Sequence, residues 1–244
     1  IEGDMSSSFV ITANEQADYM RVVAKAISMI NPEYEAKMKH ITHGMMRFAT
    51  GKMGSRKGNV ITGESLIRDT IDLIREKMKE RDWDDIEKSK VAKAVGVAAI
   101  KYSILRSKAG SDIVYDVDES ISVEGDSGPY LQYSYARANS VLEKAQKENI
   151  LPDFGTALSE ISEVEKLLYR FPEIVLRSAS TYEPHHIATY LIELARAYNG
   201  FYGDTLIVDK KDKTSSYKVA LTYAFSFVMK KGLHLLGIEA PVKM

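Results

Sequence analysis

The alternation of apolar and polar positions divides the chain into a mixed beginning and a long helical remainder. Phe9-Val10-Ile11-Thr12 is a run of strand length, expected as a short buried strand. Tyr19, Val22, Val23, Ala26, Ile27 and Ile30 then recur at helical spacing over residues 15–30, and Asn31-Pro32 stops that helix. Residues 41–46 form another short apolar run. Three glycines and three cations fall between Gly51 and Gly58, which reads as a basic loop rather than a packed element. Helical spacing resumes over residues 64–81 with Leu66, Ile67, Ile71, Leu73, Ile74 and Met78.

Residues 79–90 carry dense charge of both signs, the composition of a solvated connector, so one unit is expected over residues 1–80 and a second over 81–244. Beyond the connector helices dominate. Residues 89–106 repeat at Val91, Val95, Ala98, Tyr102 and Leu105, and residues 111–128 break the pattern with acids, glycines and β-branched residues. Pro129 suits a first helical position because its missing N–H needs no partner there; the helix it opens should run to about Lys147. Pro172 and Pro184 are expected to open two more helices by the same logic. Thr214 or Ser215 can cap the last one, which should end near Gly237 with Pro241 beyond. The fold class is therefore mostly α, a bundle of five or six helices preceded by the end of an α/β unit.

Composition narrows the possibilities. A chain of 244 residues, 45% hydrophobic and 27% charged, has an ordinary globular make-up and can bury a core. With no cysteine, disulfides and thiolate metal sites are excluded, and a reducing cytoplasm fits. No run of about 18 apolar residues could span a membrane, and the first ten residues lack signal-peptide character. The first residue is not methionine, so a fragment is expected. The net charge of −1 leaves any nucleic-acid binding to local patches and stacking. His185 and His186 are adjacent on a helix and point about 100° apart, so no metal site is expected there or elsewhere.

Two segments carry candidate chemistry. Lysines beside glycines in the basic loop could neutralise phosphate charge in a transition state, although the loop is no Walker A motif and could equally be a solvated turn. On the helix over residues 129–147, Tyr130, Tyr133, Ser134 and Arg137 share one face, while Leu131, Tyr135, Ala138 and Leu142 share a more apolar one. Aromatic rings beside a guanidinium suit unstacked bases; the alternative is core tyrosines with satisfied hydroxyls. Tyr169, Tyr190 and Tyr198 lie at core spacing. His40 reads as a satisfied surface residue on a strand edge, and His43 is open to either reading.

Lys52-Met53-Gly54-Ser55-Arg56-Lys57-Gly58-Asn59 resembles the Lys-Met-Ser-Lys-Ser loop of class I aminoacyl-tRNA synthetases in its arginyl form, departing at Gly54 and Ser55. Gly128-Pro129-Tyr130-Leu131-Gln132-Tyr133, with Tyr198-Asn199-Gly200-Phe201-Tyr202 and Leu235-Leu236-Gly237-Ile238, resembles the helical anticodon-binding domain of arginyl-tRNA synthetases. The matches span nearly the whole chain, which is similar to the C-terminal part of such an enzyme. The resemblance implies that residues 1–80 are the end of a Rossmann-like catalytic domain. It implies ATP-dependent activation of arginine, with Mg2+ in the intact enzyme and no tightly bound cofactor, then transfer to tRNA(Arg). Lys52, Arg56 and Lys57 are implied as catalytic, and His43, Gly44, Met45, Lys52 and Met53 as ATP-binding. Gln16 is implied to hold arginine, and Tyr130, Tyr133, Arg137, Tyr202 and Met244 to bind tRNA. Leu206 replaces an aromatic residue frequent in the family. A cytoplasmic monomer without membrane contact is expected. The family's His-Ile-Gly-His motif is missing from this sequence, so the chain alone should form no adenylate. The alternatives are a stand-alone tRNA-binding or scaffold module, or a helical protein-interaction module. A cysteinyl synthetase is disfavoured by the lack of zinc-ligating cysteines.

Overall fold

The computed structural model describes residues 6–49, 62–156 and 158–244. Strand β1 (Ser8–Ala13) pairs in parallel with β2 (Met38–His43), in a register running from Ser8 opposite Met38 to Ala13 opposite His43. The crossover between them is helical: a 3-10 turn at Asn14–Gln16, then α1 (Ala17–Ile30) and α2 (Pro32–Lys37). Asn31 ends α1 and also starts α2, its side chain accepting from the Glu33 N–H while Pro32 takes the first helical position. A second parallel pair joins β3 (Met46–Phe48) to β4 (Ile113–Tyr115). Between these strands come α3 (Gly63–Lys77), opened by reciprocal Thr62 and Ser65 caps, and α4 (Asp85–Leu105), capped by Asp84.

The 9–12 strand is not buried as expected: Phe9 and Ile11 are both exposed. A parallel strand is ordinarily covered on both faces. Among the described residues β1 has one strand neighbour, and the Phe9 ring meets that of Tyr182 edge-on at 5.1 Å between centroids. Across residues 6–49 only Ser28 and Gly44 are buried.

The remainder is a helical bundle. After the short α5 (Val117–Ser120) come α6 (Gly128–Lys147), α7 (Glu163–Thr181), α8 (His185–Asp204) and α9 (Ser215–Leu235). Leu131, Tyr190, Leu191, Leu194, Tyr198, Phe225, Met229 and Leu233 are sealed in its core, where Tyr198 stacks on Phe225 at 3.9 Å. Burying each large apolar side chain contributes roughly 1.5–3 kcal/mol. Helix α4 is buried on two sides. Ala98 and Tyr102 face this core, while Val91, Ala92, Val95 and Ala99 pack with Ile74 and Met78 of the α3 end. Gly128 lets α6 cross α4 closely, since a Cβ there would collide with the Ala98 carbonyl.

Three helical expectations need revising or refining. Pro172 does not open a helix but lies inside α7, on an exposed position. The true start is the reciprocal cap Ser162/Glu165, which fixes the first turn and outweighs the single backbone hydrogen bond that Pro172 removes. Tyr169 is 89% exposed rather than core, because it sits two positions, about 200°, beyond the buried Leu167. Helix α9 ends at Leu235, followed by Gly237 at φ 66°, a left-handed stop that suits glycine.

Candidate nucleic-acid interface and strand-edge site

Helix α6 presents Tyr133 and Arg137 one turn apart. The Arg137 guanidinium lies 4.8 Å from the Tyr133 ring centre and 5.0 Å from that of Tyr202, near the end of α8. Its Nη1 donates to Asn199 Oδ1 at 2.6 Å. Asn199 Nδ2 in turn donates to the Tyr130 hydroxyl and to Ser134 Oγ, both at 2.9 Å. The arginine is thus fixed by two rings and one amide before any ligand arrives. Tyr133, Arg137 and Tyr202 line an open groove of about 760 Å³, together with Trp83, Leu206, Lys243 and Met244. The C-terminal residue is anchored there: Arg81 Nη1 donates to the Met244 carbonyl at 2.6 Å, and Met244 and Trp83 both pack on the cluster between α3 and α4.

The structure therefore gathers four of the five residues proposed for RNA contact, Tyr133, Arg137, Tyr202 and Met244, around one groove. Tyr130 is half-buried, does not line it, and supports it through Asn199. Sequence reasoning missed Trp83 and Asn199. Trp83 is the chain's single tryptophan and sits in the connector, where the Arg81 guanidinium lies 5.2 Å from its ring; that isolation in a charged segment was an available signal. Leu206, 63% exposed, occupies part of the groove wall.

The second candidate site lies at the carboxyl ends of β1 and β2. Parallel pairing sets Gln16, just after β1, beside His43 and Gly44 at the end of β2, on the edge where open α/β sheets bind ligands. Gln16 and His43 are exposed. His43 Nδ1 lies 2.9 Å from the Gly44 carbonyl oxygen. Gly44 is buried, and a Cβ there would collide with the Ser111 and Asp112 backbone, so glycine is required by packing alone. The Met45 N–H donates to Asp112 Oδ1 at 2.9 Å and its carbonyl accepts from the Ile113 N–H. Both backbone groups of Met45 are thus engaged within the chain, leaving its half-exposed side chain as the free element. Asn14 Nδ2 donates to the Gly110 carbonyl at 2.6 Å, bracing the loop before β4. His40 has a partner within the sheet, its Nε2 lying 2.8 Å from Thr12 Oγ1 on the neighbouring strand, as a satisfied strand-edge histidine would. Lys52, Met53, Arg56 and Lys57 lie outside the described residues.

Buried tyrosines elsewhere are structural. Tyr190 donates to the Leu167 carbonyl at 2.9 Å, and Tyr102 donates to Asp126; burial pushes both phenols above their ordinary pKa. The expectation that His185 and His186 cannot converge needs correction. Their ring centres lie 4.1 Å apart, because side-chain torsions at a helix end offset the divergence of their Cβ directions.

Two family models match the chain side by side: tRNA synthetases class I (R), catalytic domain, over residues 4–117, and DALR anticodon binding domain, over residues 131–244. An arginine–tRNA ligase of Streptococcus agalactiae is 33% identical over 243 residues, covering 99% of this chain and 43% of that protein. Over nearly its whole length the chain is similar to arginyl-tRNA synthetases. A relative in Enterococcus faecalis, also an arginine–tRNA ligase, is 33% identical over 245 residues with the same coverage. The arginyl-tRNA synthetase structure of Thermus thermophilus superposes with a TM-score of 0.82 at 25% identity, over 98% of this chain and 41% of that one. The Plasmodium falciparum arginyl-tRNA synthetase, at 19% identity and a TM-score of 0.79, shares the fold. The chain spans 43% of the length of the curated relatives it matches. Within the family's two domains, the strand-edge site falls in the catalytic match and Tyr133, Arg137, Tyr202 and Met244 fall in the anticodon-domain match.

Proposed function

We propose that this chain is the C-terminal part of an arginine–tRNA ligase, carrying its Lys-Met-Ser-Lys-Ser-type loop and reading the anticodon loop of tRNA(Arg) in the groove beside Arg137. The observation that carries this reading is the guanidinium held between two tyrosine rings at the wall of an open groove. Rings of this kind stack on unpaired bases for roughly 1–3 kcal/mol per base. Because Asn199 already fixes Arg137, little side-chain entropy is lost on binding. Met244 and Lys243 line the same groove, and Tyr130 acts through Asn199.

At the strand edge Gln16 would hold arginine, with His43, Gly44 and the Met45 side chain beside the ATP adenine. Lys52, Met53, Arg56 and Lys57 would meet the triphosphate, with Mg2+ in the intact enzyme, and neutralise charge as arginine attacks the α-phosphate and pyrophosphate leaves. The arginyl group then passes to the tRNA 3′ end. We place the division between the two units after residue 80, because α4 joins the bundle core through Ala98 and Tyr102. The setting is a cytoplasmic monomer; among the described residues no helix is long and apolar enough to cross a membrane.

The test is a titration at fixed salt of tRNA(Arg) against the same tRNA with an altered anticodon. Preferential binding of tRNA(Arg), lost on Arg137→Ala, is expected. Equal affinity for both tRNAs would favour a stand-alone tRNA-binding or scaffold role. The chain alone should show no arginine-dependent pyrophosphate exchange, and clear exchange would overturn its assignment as a part.

A further inference from the structure

We propose that Glu183, His185 and His186, at the turn between α7 and α8, form a site for a divalent ion of the zinc type. One carboxylate oxygen and one nitrogen from each imidazole all lie within 4.8 Å of one another. The His186 Nε2 to Glu183 Oε2 separation is 3.1 Å. Two ligand atoms bound tetrahedrally at about 2.0–2.1 Å would stand roughly 3.4 Å apart, so small side-chain rotations complete the set. The backbone is already braced for this. Tyr182 takes a left-handed conformation at φ 59° and folds the chain back. The Glu183 N–H donates to the Ser178 carbonyl, Ser178 Oγ donates to the Glu183 carbonyl, and the His186 N–H also donates to the Glu183 carbonyl.

A second observation is independent of that spacing. His185 Nδ1 is buried and has no hydrogen-bond partner among the described residues. Buried polar atoms are seldom left so, and a metal bond is one way to satisfy an imidazole nitrogen. Two imidazoles and one carboxylate suit Zn2+ and its neighbours better than Ca2+ or Mg2+, and leave a fourth position for water.

The groups facing the cluster set its strength. Lys108, from the loop after α4, places Nζ 3.9 Å from Glu183 Oε1, and Arg177 on α7 adds a second positive charge that His185 senses. Both oppose a cation, so micromolar rather than tight affinity is expected; Lys108 is largely exposed and can swing away. The cluster is distinct from the groove, lying roughly 25 Å along α8 from Tyr202. An ion there would stiffen the turn on which Phe9 of β1 rests through Tyr182.

Calorimetry with Zn2+ on the chelator-treated chain should show one equivalent bound. His185→Gln and His186→Gln should each weaken binding at least ~10-fold, and Glu183→Gln should weaken it too. His40→Gln, His43→Gln and His234→Gln should leave it unchanged. Because a variant could misfold, circular dichroism accompanies each, and imidazole NMR of the unmutated chain gives a second readout: Zn2+ should shift only His185 and His186. Absence of saturable binding, or shifts confined to His40, His43 or His234, overturns the proposal.

Discussion

Helices α1 and α9 both place apolar side chains at helical intervals. Yet α9 seals Leu221, Phe225, Met229 and Leu233 inside the bundle, while α1 leaves Tyr19, Val22, Met29 and Ile30 in solvent, Ile30 at 85% exposure. An amphipathic stripe is half of an interface, and its energy appears only where a second surface removes it from water. Helix α4 teaches the converse. Its apolar residues run all round, which gives no stripe to read, and it is buried on two sides. The two regions therefore differ in closure more than in alphabet, and the strand-edge site rests on the less closed one.

The strongest way to break this contrast is mutational. Leu194→Ala should cost about 2–5 kcal/mol in denaturant unfolding, because the side chain is fully buried and leaves a cavity. Val22→Ala on α1 should change stability by less than about 0.5 kcal/mol. Equal costs would erase the distinction. Gly128→Ala should follow at about 1–3 kcal/mol, since the new methyl meets the α4 backbone and forces the helices apart.

Binding sharpens the contrast next. Tyr133→Ala should weaken binding of tRNA(Arg) by about 1–3 kcal/mol in a fixed-salt titration. Gln16→Ala, at the strand edge, should leave that affinity unchanged, and an equal loss there would merge the two sites. The smallest effect is acid-dependent and confined to the bundle. Lys218 Nζ donates to Asp212 at 2.6 Å, and with hydrogen bonds from Thr214 it holds the Asp212 carboxyl down at about 2, below its ordinary 3.8. A depressed carboxylate stabilises the fold above its ordinary pKa and loses that contribution as pH falls toward the lowered value. Asp212→Asn should therefore lower Tm slightly at neutral pH, and the difference should vanish as pH falls from about 4 to 2.

Much of the helical half was legible because its signals are local. Pro129 opening α6, Pro184 before α8 and the shared face of Tyr133 and Arg137 all follow from spacing within one turn or two. Ser162 and Glu165 were equally readable, yet Pro172 drew the helix start away from them. What escaped depends on partners distant in the chain. Trp83 and Met244 meet at one groove, Asn199 reaches Tyr130 and Arg137, and Asp112 occupies the amide of Met45.

The amino-acid order alone set the helices, their punctuation and the family motifs, since hydrogen bonding and side-chain direction repeat over a few residues. Tertiary structure decided which stripes are covered, that Tyr130 buttresses the groove without lining it, and that two neighbouring histidines converge. Burial and convergence depend on surfaces and torsions that only packing brings together, and no local period encodes them.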